Sequence, residues 1–587
     1  MTVANYVSQD FASRSDKLPK RGGPNYRGII PYSRRYYRLE RQAERYKALW
    51  RTLNEYMHPW SGRYLFGDKD RDEIFSGFGI RNSAVGDAAR TCASGLHGGL
   101  TSPSKPWFEV THPDSEIMEE QEVKDWMHAV QEIMRSVLAK SNFYDVMPNL
   151  YMEAIIYGTA AAIIDPDTET GIRLRQLTIG EYYLGLGEDL RVNSLYRRLE
   201  MTPGQMLEKF GKNNKGFTRA VTDAIEQGNL DEPTITVIHA MQPIGMFGGK
   251  TSRLFNYESV YFIQDKHSER EREILLWQGH RSRPFVAVRW ATTSDDVYGY
   301  SPGMMALPDD RMLQGMERDY INAVELGINP PLTGPTELDQ YMHEGLRPGD
   351  FIPYNAATKD QGLRSIFQLQ FDFNNTRAKI QETVAQIQNK FYNHLFLSIL
   401  FNTKQMTAAE VTQRLEEKSM VLGPVLERFQ SELFDPILDR LFVIMFHEYG
   451  MIPPPPEQIA GGNLKIDYIG SLAQSVKMQG LTNITNTLPV IAELLNLDPA
   501  AVVKMNVKEL IDYVSTVGNF PPNAIRSDEE CEEIEGAQAQ AQQQQMQMQQ
   551  MATMADAAKK ASETSLQNGS LLTGTEGGME GAGFGIG

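Results

Sequence analysis

Two adjacent prolines, Pro330 and Pro331 in the stretch GINPPLTGP, constrain this chain more than any other feature. Proline lacks the backbone donor that an α-helix needs, and its ring clashes with the preceding turn, so a helix arriving from the N-terminal side has to end there. That helix has an equally firm start. Ser301 followed by Pro302 reads as an N-cap with proline in the first turn, and the pattern from Gly303 to about 327 is helical. An irregular or β-like stretch follows, and a second helix resumes near Asn375 with Ile380, Val384, Ile387, Phe391 and Leu395 on one stripe. A short polar loop, Asn402, Thr403, Lys404 and Gln405, then leads to a third helix start. There Thr407 can cap, Glu410 can complete a capping box, and Met406 can staple onto Val411. At about 1.5 Å per residue the first two helices are each roughly 35 Å long. Each carries more apolar surface than one partner helix covers. Copies packed around an axis and a bundle within one molecule both account for that.

The rest of the chain divides by texture. Residues 34 to 57 place Tyr36, Leu39, Ala43, Tyr46, Leu49, Trp50, Leu53 and Met57 at three- and four-residue steps, which predicts a long amphipathic helix. A helix over about 80 to 97 is lined with Ala84, Ala88, Ala89 and Gly95, small enough for another element to come close. Helices follow over 116 to 140 and 143 to 162. From 171 to 290 the pattern changes to short β-rich runs such as TITVIHAM, SVYFIQD, EILLWQG and FVAVRWATT, interrupted by one helix near 203 to 228. Beyond Thr407 a helical pattern runs to Tyr449 through Pro424 and Pro436, which predicts a bent or broken rod. IPPPPEQ is a stiff spacer, helical patterns return between 471 and 515, and a Gln-rich acidic tail over 526–587 reads as disordered. The expected class is α+β, mainly α.

Charge and composition exclude several roles. The net charge is −17, yet residues 1 to 51 hold twelve Lys and Arg against four Asp and Glu, which leaves −25 on the remainder. A chain this acidic is no general nucleic-acid binder; the basic arm at 1–33 either reaches an acidic partner or stays solvated. Two cysteines, Cys92 and Cys531, make no disulfide framework and fit synthesis in a reducing cytoplasm. No apolar run approaches the roughly 18 residues needed to span a bilayer, so no membrane partner is expected.

Two motif matches fail on chemistry. GYSPG at 299 to 303 imitates a nucleophile elbow, but the residue after Ser301 is Pro302, which has no N–H for an oxyanion hole. A serine hydrolase using Ser301 is therefore the weakest reading. GMFGGKT at 245 to 251 has one residue too few for a P-loop and leads into strand-like SRLFNYESVYF. The histidines form no metal motif, and the acids, among them Asp309 and Asp310, read as solvated surface. No catalytic residue, metal or cofactor is expected.

Three strings carry a resemblance: ASGLHGGLTSPSKPWFEV at 93 to 110, YGYSPGMMALPDDRMLQGMERDYINAVELGINPPL at 298 to 332, and QMTAAEVTQRLEEK at 405 to 418. In this order and spacing the sequence resembles the head-to-tail connector, or portal, proteins of short-tailed bacteriophages, from about residue 30 to 520. The resemblance implies a non-enzymatic dodecameric ring at one capsid vertex of the virion, assembled in the host cytoplasm with scaffold or capsid protein. It conducts double-stranded DNA and docks terminase and then tail adaptor proteins. It also implies a wing at 34–300, stem helices at 301–329 and 374–397, and a clip at 330–373. A tunnel loop follows at 398–406, with Asn402, Thr403, Lys404 and Gln405 facing DNA. A kinked helix at 407–460, starting on the Thr407 and Glu410 cap, leads to a crown at 461–525. An internal head or tail component is the alternative.

Overall fold

A computed structural model describes residues 29–62, 64–66, 80–114, 117–118, 120–212, 214–247, 254–264, 274–335, 350–354, 364–365, 372–397, 422–459, 464–470 and Met554. The chain divides into two compact units, 1–479 and 480–587, and every element below lies in the first. Helices make up about half of the described residues, with strands beside them, in agreement with a mixed α and β class.

Helix α1 (Ile30–Met57) buries Tyr32, Tyr36, Leu39, Ala43, Trp50, Leu53 and Met57 along one face. It starts earlier than the expected position 34 because Tyr32 is drawn into the core, where its hydroxyl donates to Glu258 at 3.0 Å. Edge-on contacts of Trp50 with Tyr298 (4.9 Å) and Tyr36 with Tyr183 (5.4 Å) seat it on the β-rich part. Helix α2 (Ala84–Leu100) uses its small residues as the sequence suggests: a Cβ on Gly95 would stand 2.3 Å from the Phe396 ring. Strand β1 (Phe108–Thr111) then leads to α3 (Gln121–Lys140) and α4 (Phe143–Tyr157).

The expected extension of α4 to residue 162 does not occur. Gly158 is left-handed at φ 78°, its N–H bonds the Ala154 carbonyl at 3.0 Å, and the Gly299 oxygen lies 2.2 Å from where a Cβ would be. The chain continues as β2 (Thr159–Asp167), the centre of a sheet between β3 (Gly171–Leu177) and β9 (Phe285–Arg289). Alanines 160 to 162 favour a helix by propensity, but a strand covered on both faces needs small apolar residues, and context decides. The β-rich part therefore begins at 159 rather than 171.

The second sheet is an antiparallel meander of β4 (Tyr182–Leu186), β5 (Val192–Met201), β6 (Ile235–Pro243), β7 (Tyr257–Ile263) and β8 (Leu276–His280). The single helix expected at 203 to 228 is two. Helix α5 (Pro203–Phe210) carries a Thr202/Gln205 capping box, α6 (Arg219–Gln227) is capped by Thr218, and Gly211 at φ 79° lies between them. With Val237, Tyr261, Ile263 and Leu275 they enclose a small satellite core.

Helices α7 (Pro302–Ile328) and α8 (Phe373–Lys390) flank a three-stranded sheet. In it β10 (Leu332–Pro335) runs parallel to β11 (Phe351–Tyr354) and antiparallel to β12 (Arg364–Ser365). The second rod does not run unbroken to 397. Tyr392 takes φ 59°, and α9 (Asn393–Leu397) follows the break. A left-handed tyrosine costs about 1 kcal/mol; stacking on Trp290 (6.3 Å) and burial of Phe391 hold it there.

Residues 422 to 448 are helical throughout, with π turns at Gln430–Phe434 and Ile444–Glu448 around α10 (Asp435–Val443). The rod is not broken at Pro436. That residue falls in the first turn of α10, directly after a π turn that has already loosened the hydrogen-bond ladder. Strand β13 (Lys465–Tyr468) returns to pair antiparallel with β1.

Candidate functional site

Helix α7 begins on a cap, not a nucleophile. Ser301 is buried, and its Oγ accepts from the Met304 N–H at 3.1 Å and donates to the Ile156 carbonyl at 2.7 Å. With its proton held by a backbone oxygen and Pro302 behind it, Ser301 has no hydrolase chemistry. The described surroundings of GMFGGKT are not those of a phosphate cradle either. Its described part, 245 to 247, is a turn out of β6, and the chain proceeds into the antiparallel neighbour β7, where a phosphate cradle would need a helix N-terminus.

Rods α7 and α8 lie antiparallel, side by side. Lys390 at the end of α8 donates to the Met305 carbonyl at 3.1 Å and pairs with Asp309 near the start of α7. Further along, Tyr320 meets Phe373 edge-on at 5.9 Å. Asp310, expected on the solvated surface, is fully buried. One of its carboxylate oxygens accepts from Gln314 Nε2 at 3.0 Å, and the other has no hydrogen-bond partner among the described residues. Burial pushes this carboxyl up to about 6, against the opposing hydrogen bond from Gln314. Gln314 also straps down the segment before α2. Its Oε1 accepts from the N–H groups of Arg81 and Asn82 at 2.9 and 3.1 Å, and Nε2 donates to the Asn82 carbonyl at 2.7 Å. Sequence reasoning missed this network, since no local pattern distinguishes Asp310 from its neighbour Asp309.

The outer face of α8 is rich in amides: Asn374, Asn375, Gln381, Gln386, Gln388 and Asn389 are exposed. Its cations are mostly neutralised, Lys379 by Glu382 at 3.1 Å and Lys390 by Asp309. Arg377 is the one α8 cation without an ion-pair partner among the described residues. Such a face retains few phosphates, because each retained phosphate needs a cation.

Helix α7 carries exposed apolar side chains on two flanks. Met305 and Met312 are 51% and 41% exposed, and Ile321 and Ile328 are 41% and 73% exposed. At 3.6 residues per turn, Met305 and Ile321 point about 160° apart. Beside the rods lies a groove of about 490 Å³ lined by Tyr320, Ile380 and Val384, with Asn82, Glu317 and Arg377 at its polar positions. The loop residues Asn402, Thr403, Lys404 and Gln405, and the cap residues Thr407 and Glu410, lie outside the described residues. No helix among the described residues is long and apolar enough to cross a membrane.

Comparison with known proteins bears on the same region. The chain is 32% identical over 544 residues to the portal protein of Salmonella phage epsilon15, covering 91% of this chain and 95% of that one. It is 31% identical over 539 residues to the probable portal protein of Bordetella phage BPP-1, covering 91% and 96%. Among solved structures, a chain of the virion of a native gene transfer agent particle matches at TM-score 0.30 and 11% identity, over 74% of this chain and 94% of that chain. A chain from the neck of an empty particle of the same kind matches at TM-score 0.32 and 12% identity, over 72% and 90%; both likenesses are too loose to carry an argument. The family profile described as bacteriophage head to tail connecting protein matches residues 31–525, so this chain belongs to that family.

Proposed function

We propose that this chain is the subunit of a portal: a ring at one capsid vertex through which viral double-stranded DNA is packaged and ejected, and on which terminase and then tail proteins dock. Membership of a connecting-protein family assigns a structural rather than a catalytic role, and relatives called portal proteins match over 91% of the chain. On this reading the assembly is a dodecamer formed in the host cytoplasm with scaffold or capsid protein. Residues 34–300 are its wing, α7 and α8 its stem, 330–373 its clip, and 461–525 its crown. The tunnel loop is 398–406.

The observation that carries the reading is the pair of apolar flanks on α7. A subunit in a closed ring meets neighbours on two different surfaces, and a heterologous contact that closes needs both. Exposed Met305 and Met312 on one flank and Ile321 and Ile328 on the other supply them. The amide face of α8 is then left for the bore, where sparse positive charge lets DNA slide.

Electron microscopy and native mass spectrometry of the purified protein test the proposal. Wild type should form uniform annular particles, and Ile321→Asp combined with Ile328→Asp should yield folded subunits that no longer close a ring. Wild type that stays monomeric under all conditions, scaffold protein included, defeats the portal reading; a double variant that assembles normally defeats the flank assignment.

A further inference from the structure

Away from the rods, cations gather beside one hydroxyl in the satellite core. Tyr261 on β7 is buried, its ring stacked on the His239 imidazole at 3.9 Å. Lys209, near the end of α5, holds Nζ 4.1 Å from the centre of that ring and donates to the Tyr261 hydroxyl at 3.0 Å. Arg197 on β5 places its charge near Tyr261, and its Nε donates to His239 Nδ1 at 3.1 Å. His239 therefore carries its hydrogen on Nε2 and gives it to Ser259 Oγ at 2.6 Å, so the ring is neutral and has no acceptor left for Tyr261. Among the described residues nothing accepts the Tyr261 hydroxyl proton, and Lys209 has no carboxylate within ion-pair distance.

The local charge is unbalanced in the same direction. Arg197 faces Glu181 at 3.8 Å and Arg175 on β3 faces Asp165 at 3.7 Å, both long contacts. Burial, then Arg197 and Arg175, hold the Lys209 ammonium down to about 8, with Asp165 opposing. The Lys209 residue is exposed and lies over the buried Tyr261 ring. Gathered cations and an unaccepted phenol proton are the complement of an oxyanion.

We propose that Lys209 and Tyr261, backed by Arg197 and Arg175, form a binding site for a phosphate oxyanion. Lys209 supplies the cation and Tyr261 the neutral donor. Inorganic phosphate and the DNA backbone present the same group, and the experiment separates them. This inference does not rest on the portal reading and falls or survives without it.

The test is residue-resolved amine acylation of the full-length protein at pH 8, read by mass spectrometry. Bound phosphate returns the Lys209 pKa toward the ordinary lysine value, which slows its labelling roughly fivefold for the first unit regained. Lys379 on α8 serves as the control and should label at an unchanged rate. Protection by millimolar phosphate alone supports the site with a free anion as ligand, and protection by short duplex DNA as well assigns the backbone. Tyr261→Phe keeps the stacked ring, and so the fold, and should lose most of the protection. Lys209 labelling that is indifferent to both ligands overturns the proposal, as does equal protection by chloride at matched ionic strength or full protection in Tyr261→Phe.

Discussion

Glu432→Ala strands the Arg289 guanidinium inside the protein. In the native chain Arg289 Nη2 donates to Glu432 Oε1 at 2.6 Å, while its Nε and backbone N–H donate to Oε2 at 3.3 and 3.0 Å. The two side chains are only 4% and 10% exposed. The guanidinium also donates to the carbonyls of Asp296 and Leu190, each at 3.1 Å, and Arg428 stands 3.6 Å from Glu432 Oε1. Removing the carboxylate deletes three hydrogen bonds and leaves two neighbouring cations without a counter-charge. Breaking a buried pair from one side costs about 3 to 5 kcal/mol. The two surviving carbonyl contacts favour the low end, about 3 kcal/mol, which is roughly a hundredfold in an opening equilibrium. Local opening reads this contact most directly, because the pair joins two particular elements of the first unit. Hydrogen exchange of peptides covering β9 and residues 422 to 448 should therefore speed up about a hundredfold in Glu432→Ala, and less in Glu432→Gln, which keeps an acceptor. An acceleration below roughly fivefold, about 1 kcal/mol, would refute the view that this pair locks the helix onto the sheet.

Three further outcomes follow from the same structure. The Asp310 carboxyl, at about 6 in the fold, lies above its unfolded value near 3.9, so its bound proton stabilises at low pH and that contribution is lost as pH rises from about 4 through 6. Thermal midpoints of Asp310→Asn should therefore fall less over that window than those of wild type, although Glu153 (about 7) and Asp439 (about 6) keep part of the slope; identical profiles would refute the assignment. Gly158→Ala should cost about 1 kcal/mol for a left-handed alanine and a further 1 to 3 kcal/mol, roughly, for displacing the Gly299 backbone; a midpoint equal to wild type contradicts this. Ser301→Ala should lower stability by about 1 kcal/mol or slightly more through the lost cap and the unsatisfied Ile156 carbonyl, measured by urea titration. A neutral effect there would remove Ser301 from its structural role.

What was legible in the sequence follows from how far each signal reaches. The Ser301 cap, the stop at Pro330 and the stripe from Ile380 to Leu395 depend on donors and side chains within a few residues, and α7 and α8 lie close to where these place them. The end of α4 was not legible, because the bar to any side chain at Gly158 is the Gly299 carbonyl, distant in sequence. The break at Tyr392 depends in the same way on Trp290. Within the candidate site, the sequence named the rods but not the strap from Gln314 to Arg81 and Asn82, nor the burial of Asp310, because identical neighbouring aspartates carry no label for inside and outside.

The sequence by itself determined where α7 starts and stops, close to where α8 starts, that 235 to 289 holds short strands, and that GYSPG is a cap and not a nucleophile. Those are matters of local backbone geometry and donors. Only the tertiary structure decided that Ala160 to Ala162 form a central strand, that Arg289 and Glu432 meet across the core, and that the Lys209 ammonium meets the Tyr261 hydroxyl. Burial and charge partnership are properties of the space between elements, and that space is set only once the elements pack.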